Sequence, residues 1–314
     1  MLCLLVGKNG QVGWELRRTL ASLGEVIAVD RPEIELSSAD SIRGIIRDHA
    51  PQVIINAAAY TAVDKAEDEP ELAMQINATA PAIMAEEAKR LGALFVTYST
   101  DYVFDGTKPD AYSEVDKPNP LSAYGRTKLA GDDAVRDVGG AYLIFRTSWV
   151  YGARGKNFLL TMTKLAAERE EIKVVDDQIG APTWSRSLAE VTAQVIAQRT
   201  TKAQQGNTAD VFADVRGTYN LTSGGRTSWC GFTKAIVDLL RTYSEAPLAR
   251  VVPISSAEYP VRATRPKNSL LDNTKLRRTF GLRLPEWSVS LDQVMDELQS
   301  IAPLGSRVAV GGGR

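Results

Sequence analysis

The chain has 314 residues, of which 44% are hydrophobic and 24% charged, as in a folded globular protein with one large domain or two fused ones. Its 37 basic and 38 acidic side chains give a net charge of −1, which argues against nucleic acid or an anionic membrane as a partner. No apolar run reaches the roughly 20 residues that span a bilayer. Two cysteines, Cys3 and Cys230, are too few for a disulfide framework, so a reduced, cytoplasmic protein is expected.

The first half of the chain alternates short apolar runs with amphipathic stretches. Strands are predicted at 2–6, 26–29, 53–55, 94–97 and 142–146, and helices around 12–23, 38–49, 73–91 and 123–138. Gly24 is placed to end the first of these helices in a left-handed conformation, Gly92 follows another, and the single histidine, His49, ends a third. This alternation predicts an α/β fold with a Rossmann-like, doubly wound parallel sheet, which binds ligands beyond the carboxyl ends of its strands.

The second half is less regular. Helices are predicted at 158–169, 187–198, 229–243 and 291–301, a strand at 172–175, and a strand at 218–221 that returns to the main sheet. The polar segment 204–214 is predicted to be a surface loop. We therefore expect a cofactor-binding Rossmann domain over 1–147, a smaller, mainly substrate-binding region over 148–304 with elements that return to the first sheet, and a disordered, glycine-rich tail over 305–314.

A glycine-rich turn follows the first strand. Gly7, Gly10 and Gly13 stand three residues apart where a helix begins, so backbone N–H groups can approach a pyrophosphate that the helix N-terminus favours. Asp30 is the acidic residue expected about 20 positions further on, where it can accept hydrogen bonds from an adenosine ribose and favour NADH. Arg31 could instead pair with the 2′-phosphate of NADPH, so both cofactors remain open.

Three further segments lie where a ligand of such a sheet would bind. The small side chains of 56–61 (NAAAYT) would let a cofactor lie against the backbone, or would form a packing turn. The segment 99–101 (STD) follows the fourth strand. Tyr124 and Lys128 share one face of a helix. An ammonium near a phenol favours the phenolate, so we expect the pKa of Tyr124 to fall from about 10 toward neutrality.

Together these segments resemble the extended short-chain dehydrogenase/reductases, and their detail resembles one branch, the dTDP-4-dehydrorhamnose reductases. The matching segments run in order from the start of the chain to about residue 300. They are 7–16 (GKNGQVGWEL), 56–67 (NAAAYTAVDKAE), 98–104 (YSTDYVF), 124–131 (YGRTKLAG), 145–151 (FRTSWVY), 177–183 (DQIGAPT) and 265–269 (RPKNS).

The resemblance implies reduction of the 4-keto group of dTDP-4-dehydro-L-rhamnose by NADPH or NADH to give dTDP-L-rhamnose, in nucleotide-sugar and cell-surface polysaccharide biosynthesis. It implies that Tyr124 donates the proton and that Lys128 holds the nicotinamide ribose and lowers the pKa of Tyr124. It also implies that Thr100 hydrogen-bonds the substrate oxygen or helps to deliver the proton. Substrate contacts are implied for Thr100, Asp101 and Trp149. The implied cofactor contacts are Gly7, Gly10, Gln11, Val12, Asp30, Leu36, Ala59, Tyr60, Thr61, Tyr98, Tyr124 and Lys128.

The chain also departs from the family pattern. Tyr60 stands where the family often has histidine. Arg186 stands near the place where some relatives carry an acidic residue associated with a divalent cation, so Mg²⁺ is not supported although Glu15 remains, and no metal ligand is predicted. Arg265 and Asn268 would either contact the nucleotide diphosphate or hold a surface loop.

Other functions remain open on this fold. The chain could be an epimerase or dehydratase of the same superfamily, although Thr100-Asp101-Tyr102 carries one acid only, which disfavours dehydration. It could also be a non-catalytic, NADP-binding regulatory subunit, but an intact Tyr124 and Lys128 favour catalysis. The sequence leaves a monomer and a homodimer equally open.

Overall fold

The computed structural model describes residues 1–200, 207–243 and 245–301. The tail predicted over 305–314, and residues 204–206 of the predicted surface loop, lie outside the described residues. Within these ranges the chain is an α/β protein, as predicted. No helix in the described ranges is both long and apolar enough to cross a bilayer.

The strands alternate with helices through the first half of the chain and become shorter after it. Those in the described residues are β1 (Leu2–Val6), β2 (Glu25–Val29), β3 (Val53–Asn56), β4 (Leu94–Thr100), β5 (Ala141–Thr147), β6 (Val150–Tyr151), β7 (Glu171–Val175), β8 (Ile179–Gly180), β9 (Thr183–Trp184), β10 (Gly217–Asn220), β11 (Thr227–Ser228) and β12 (Arg250–Ile254).

Most helices lie where they were predicted, with small changes at their ends, but a π turn interrupts the predicted helix over 73–91 and the helix over Thr274–Phe280 was not predicted. Those in the described residues are α1 (Gln11–Ala21), α2 (Ala39–His49), α3 (Pro70–Met74), α4 (Ala80–Leu91), α5 (Ala123–Val138), α6 (Phe158–Glu168), α7 (Ser185–Thr200), α8 (Trp229–Tyr243), α9 (Thr274–Phe280) and α10 (Trp287–Ile301). A π turn (Gln75–Thr79) joins α3 to α4, and short 3₁₀ turns occupy Lys65–Glu67, Asp101–Val103, Asp210–Phe212 and Ser256–Glu258.

The central sheet has six parallel strands in the order β10–β5–β4–β3–β1–β2. β2 and β3 flank β1 on opposite sides, so the direction of winding reverses between β1 and β3. Ligands of doubly wound sheets bind at such a switch point, beyond the carboxyl ends of the strands. The predicted Rossmann-like sheet is therefore confirmed, and its topology indicates where a ligand would lie.

Helices cover both faces of this sheet. Leu16 and Leu20 of α1 pack with Leu188 of α7 on one face, and Ile42 of α2 packs with Met84 of α4 on the other. The second half of the chain therefore adds strand β10 to the edge of the central sheet and helix α7 to one of its faces. A separate core formed by α6, α8, α10 and β7 lies in the C-terminal region.

Local signals explain where several helices begin and end. The Ser38 and Ser122 hydroxyls accept N–H bonds at the N-termini of α2 and α5, and Gly92, which was predicted to follow the helix, ends α4 in the left-handed conformation. The prediction for Gly24 is wrong, because α1 already ends at Ala21 and Gly24 has φ +156°. A Cβ at Gly24 would lie 2.0 Å from the Met1 carbonyl oxygen, so close backbone approach requires this glycine.

Candidate active site

The turn between β1 and α1 requires glycine at two positions, Gly7 and Gly13, because a Cβ atom there would collide with the backbone. Gly7 has φ +90°, and a Cβ there would lie 2.7 Å from the Ala58 backbone nitrogen. A Cβ on Gly13 would lie 1.9 Å from the Gly7 carbonyl oxygen. The first helical residues, Gln11 and Val12, follow Gly10 directly, so their N–H groups open toward the switch point. The turn therefore fits a pyrophosphate.

A cavity of about 330 Å³ opens beside this turn. Its lining brings together five of the predicted cofactor residues, namely Asp30, Leu36, Ala59, Tyr60 and Thr61. Asp30 accepts backbone N–H bonds from Asn9 (Oδ2, 3.1 Å) and Arg31 (Oδ1, 2.9 Å). A carboxylate has about four acceptor sites, so Asp30 can still accept ribose hydroxyls. The cavity and the turn together fit a dinucleotide.

The cation predicted as a phosphate partner is already paired. Arg31 also lines the cavity, but its guanidinium lies 2.9 Å from Glu35 Oε1, and both side chains are exposed. Lys8 pairs with Glu33 in the same way, at 2.6 Å. Arg31 thus lines the cavity while its guanidinium is paired with Glu35.

Tyr60, which stands where the family often has histidine, is held from two sides. Its hydroxyl donates a 2.6 Å bond to Glu69 Oε2, and its backbone N–H donates to Asn77 Oδ1 at 2.8 Å. The Asn77 amide in turn donates to the Tyr60 carbonyl and to Thr127 Oγ1, each at 3.1 Å. Asn77, in the π turn, thereby connects the cavity loop to α5.

Helix α5 carries the predicted acid–base pair. Its N-terminus is fixed by Ser122 and by Glu67, whose Oε1 accepts the Ala123 N–H at 2.7 Å. Lys128 is 4% exposed, and its Nζ donates a 2.6 Å bond to the Tyr98 carbonyl oxygen on β4. The Tyr98 hydroxyl points elsewhere, to Thr192 of α7 at 2.7 Å. The structure therefore joins Tyr98 to the site through its backbone.

The pKa of Tyr124 differs from the expectation. Burial raises it above the usual value, and a hydrogen bond to the Thr100 side chain opposes that rise. Lys128 is not among the groups that shift it, and its ammonium is hydrogen-bonded to the Tyr98 carbonyl. The predicted lowering by Lys128 is therefore wrong for this arrangement, and Tyr124 holds its proton at neutral pH.

The end of β4 faces Tyr124. Thr100 donates to Asp101 Oδ1 at 3.1 Å and accepts the Tyr102 N–H at 3.2 Å. Asp101 is 2% exposed, and burial raises its pKa to about 6 against the lowering by Ser269 and Thr100. The Tyr102 ring packs edge-on against Tyr124 at 5.6 Å. Thr100, Asp101 and Tyr124 therefore form one cluster at the carboxyl edge of the sheet.

Trp149 follows the neighbouring strand, two residues after Thr147, which is paired in register with Thr100. It has φ +49°, an unusual conformation for a large side chain. Its ring stacks on Trp229, with centroids 3.6 Å apart and planes 8° apart. A Cβ on Gly180 would lie 2.5 Å from its Cε2 atom. Trp149 is thus held firmly beside the site.

The C-terminal segment meets the loop after β3. The Arg265 guanidinium lies 2.8 Å from Asp64 Oδ2 and hydrogen-bonds the Tyr102 hydroxyl, an interaction that lowers the pKa of the phenol while burial raises it. The Asn268 amide donates to the Lys108 and Asp110 carbonyls at 2.7 and 2.9 Å. Arg265 therefore ties the C-terminal segment to the loop after β3 and to Tyr102, and Asn268 holds the loop at Lys108 and Asp110.

The residues around Glu15 do not fit a divalent cation. Arg186 lies between two carboxylates, 3.1 Å from Glu15 Oε2 and 2.6 Å from Glu297 Oε1, and Arg18 lies 3.3 Å from Glu15. A guanidinium thus neutralises the oxygens that a hard cation would need.

Sequence reasoning missed the residues that hold the site together. Glu67 stands in the matching segment 56–67, but nothing in that segment marks it as the acceptor of the Ala123 N–H. Asn77 lies outside the matching segments, and its bonds to Tyr60 and Thr127 join positions that are distant in sequence. Asp132 lies one turn beyond Lys128 on the face of α5 that carries Tyr124, but nothing in its local sequence marks it as buried.

The fold and this site define a dinucleotide-binding protein of the extended short-chain dehydrogenase/reductase type. The chain belongs to the family described as "RmlD substrate binding domain", whose model matches residues 1–300. It is similar to the dTDP-4-dehydrorhamnose reductase of Burkholderia thailandensis, with 49% identity over 303 residues that cover 96% of this chain and 100% of that one. The predicted resemblance to this branch is therefore confirmed.

Solved structures agree. The dTDP-4-dehydrorhamnose reductase of Bacillus anthracis, in complex with NADP, has a TM-score of 0.84 and 34% identity, covering 94% of this chain and 99% of that chain. The UDP-glucose 4-epimerase of Thermus thermophilus, in complex with NAD, has a TM-score of 0.76, covers 95% of this chain and 99% of that chain, and is 17% identical. The second similarity shows the fold alone.

Proposed function

We propose that this protein reduces the 4-keto group of dTDP-4-dehydro-L-rhamnose with NADPH or NADH to give dTDP-L-rhamnose. The observation that carries the proposal is the convergence of Tyr124, Lys128 and Thr100 beside a glycine turn and cavity that fit a dinucleotide. Full-length similarity to dTDP-4-dehydrorhamnose reductases supports the choice of substrate.

The cofactor would lie with its pyrophosphate on the turn at Gly7, Gly10, Gln11 and Val12 and its adenosine in the cavity lined by Asp30, Leu36, Ala59, Tyr60 and Thr61. When bound, the nicotinamide supplies the hydride that reduces the carbonyl carbon.

The side chains of this protein donate the proton and stabilise the negative charge that develops on the keto oxygen. Tyr124 Oη gives its proton to the keto oxygen, and burial, which raises its pKa, keeps that proton in place at neutral pH until it is needed. Thr100 Oγ1 hydrogen-bonds the same oxygen once its proton turns away from Asp101. The Lys128 ammonium would hold the nicotinamide ribose, and its bond to the Tyr98 carbonyl keeps the helix that carries Tyr124 against β4. Asp101 and Trp149 orient the sugar.

The test is an NADPH- and NADH-oxidation assay with dTDP-4-dehydrorhamnose made in situ. We expect both cofactors to be consumed in step with dTDP-L-rhamnose formation. Cofactor binding without turnover would favour a regulatory subunit, and sugar conversion without net cofactor consumption would favour an epimerase.

We further infer a cytoplasmic location and a monomer or homodimer. Cys3 and Cys230 are buried and unpaired, which suits a reducing compartment. Cell fractionation and light scattering of the purified protein test these two points.

A further inference from the structure

Three ionisable side chains repeat along one face of α5. Tyr124, Lys128 and Asp132 occupy successive turns, so their side chains neighbour one another. Lys128 is 4% exposed and Asp132 is 2% exposed. Asp132 Oδ2 accepts a 3.1 Å bond from Nε of Arg146 on β5, and Arg146 is 1% exposed. A buried carboxylate that is paired with a buried guanidinium thus lies one helical turn from Lys128.

This arrangement is costly for a purely structural element. Taking charges out of water is expensive, and apolar residues of similar volume often stabilise a core as well. The pair is also incompletely satisfied, because Nη1 of Arg146 is buried without a hydrogen-bond partner. A cation–π contact with the Phe104 ring, 5.4 Å from the guanidinium, compensates only in part. The cost is explained if the charges serve the neighbouring acid–base pair.

We propose that the buried Asp132–Arg146 ion pair supports catalysis by positioning charge beside the acid–base pair. The Asp132 carboxylate keeps the Lys128 ammonium charged behind Tyr124. Arg146 partly neutralises this carboxylate and so weakens its effect on Lys128. This inference rests on the proposed function, in which Tyr124 donates its proton from beside a charged lysine.

The electrostatics of the described groups agree with this role. Burial lowers the pKa of Lys128 and Asp132 opposes that lowering. Asp132 also raises the pKa of Tyr124, so its charge keeps a proton on both groups.

Other ionisable groups reach α5 from the elements packed around it. Glu67 binds the Ala123 N–H at one end of the helix, and Lys89 binds the Val138 carbonyl at the other. The turn after β4 contributes Asp101, which raises the pKa of Tyr124, and the Tyr102 ring, which packs on Tyr124. Of the charged groups near Lys128 in the described chain, Asp132 is the one that shifts its pKa.

The experiment compares the pH dependence of kcat in two opposite variants. Reduction needs protonated Tyr124 and Lys128, so kcat falls on the alkaline side as they lose protons. Asp132→Asn should move this alkaline limb to lower pH by about one unit, the usual scale for a neighbouring charge. Arg146→Met should move it to higher pH, because Lys128 then receives more of the Asp132 charge. Asp133→Asn, at the exposed neighbouring position, should leave it in place.

Variants that conserve the charges, and a double variant that removes both, are the controls for a loss of folding. Asp132→Glu and Arg146→Lys should restore the wild-type limb. If Asp132→Asn does not fold, the double variant Asp132→Asn/Arg146→Gln leaves neither charge unpaired and should still shift the limb to lower pH. A merely structural pair would lower the melting temperature in both single variants and leave the limb of every folded variant unchanged, which would overturn the proposal.

A direct readout separates this inference from the proposed function. In protein labelled with ¹³C at lysine Cε, the Lys128 resonance, assigned with Lys128→Gln, should titrate at lower pH in Asp132→Asn than in wild type. An inactive wild type with this shift would contradict the proposed function alone. An active wild type with identical Lys128 titrations in both proteins would contradict the inference alone.

Discussion

Lys128 Nζ donates a 2.6 Å hydrogen bond to the carbonyl oxygen of Tyr98, and this bond connects helix α5 to strand β4. Tyr98 lies two residues before Thr100 on the same strand. The bond therefore fixes the helix that carries Tyr124 against the strand that carries Thr100. Lys128 thus acts on the geometry of the site as well as on its charge.

The first prediction concerns the proton donor. Tyr124→Phe should lower kcat by roughly 10²–10⁴-fold, the usual scale for loss of a general acid. The Kd for NADPH should barely change, because the phenol is not part of the adenosine cavity. Steady-state kinetics and NADPH titration check both points, with Tyr259→Phe, at an exposed position, as the control. Near-full activity of Tyr124→Phe would remove it from the mechanism.

The second prediction concerns the choice of cofactor. Asp30 favours a free ribose and Arg31 favours a 2′-phosphate, so NADH and NADPH should differ by no more than about tenfold in kcat/KM. Asp30→Ala should reduce kcat/KM more for NADH, and Arg31→Ala should reduce it more for NADPH. Equal losses for both cofactors in Asp30→Ala would show that this carboxylate does not contact the ribose.

The third prediction uses the buried carboxyl of Asp101, whose pKa is raised from 3.8 to about 6. Between these pH values the folded chain holds a proton that the unfolded chain releases, so stability falls as pH rises through this window. Asp101→Asn removes that cost. It should raise the free energy of unfolding by up to roughly 3 kcal/mol at pH about 7 and change it little near pH 4.

Thermal melts of both proteins across this pH range check the prediction, with Asp110→Asn, at an exposed position, as the control. If the difference in melting temperature between wild type and Asp101→Asn stayed constant across the window, Asp101 would titrate in its ordinary range.

Much of the fold can be predicted because each element of the first half carries its own apolar period. Helix α5 occupies the predicted 123–138. Strand β12 (Arg250–Ile254) was not predicted, because Pro253 interrupts its pattern and its partner, β7, is distant in sequence. The prediction of a surface loop over 204–214 is wrong at Phe212, which is fully buried in the main core. A single aromatic residue in a polar segment forms no hydrophobic periodicity, so its burial cannot be predicted from the sequence pattern.

Some residues of the candidate site could also be predicted from the sequence, and others could not. Tyr124, Lys128 and Thr100 could be predicted because their motifs follow strand ends that meet at one edge of the sheet. Asp132 could not be recognised as buried, because it stands beside Asp133 and Arg136, which pair on the surface. Its burial depends on a tertiary contact with Arg146.

The last prediction concerns Trp149, held between its stack on Trp229 and the close approach of Gly180. Gly180→Ala would place a Cβ 2.5 Å from the Trp149 ring, so the ring must move. A displacement of about 1 Å at a reacting centre can cost roughly 100-fold in rate. We expect kcat/KM for the keto-sugar to fall by about 10–100-fold, with unchanged NADPH affinity. Gly44→Ala, where a Cβ would meet nothing within 4 Å, is the matched control.

Trp149→Ala separates a substrate contact from a core residue. If the ring orients the sugar, this variant should bind NADPH normally but have a raised KM and a lowered kcat. If the ring only fills the core, truncation should cost roughly 3–5 kcal/mol of stability. The surviving folded fraction would then show near-normal kinetics. Because the stack on Trp229 makes some loss of stability unavoidable, the kinetics of the folded fraction, and not the melting temperature alone, decide between the two.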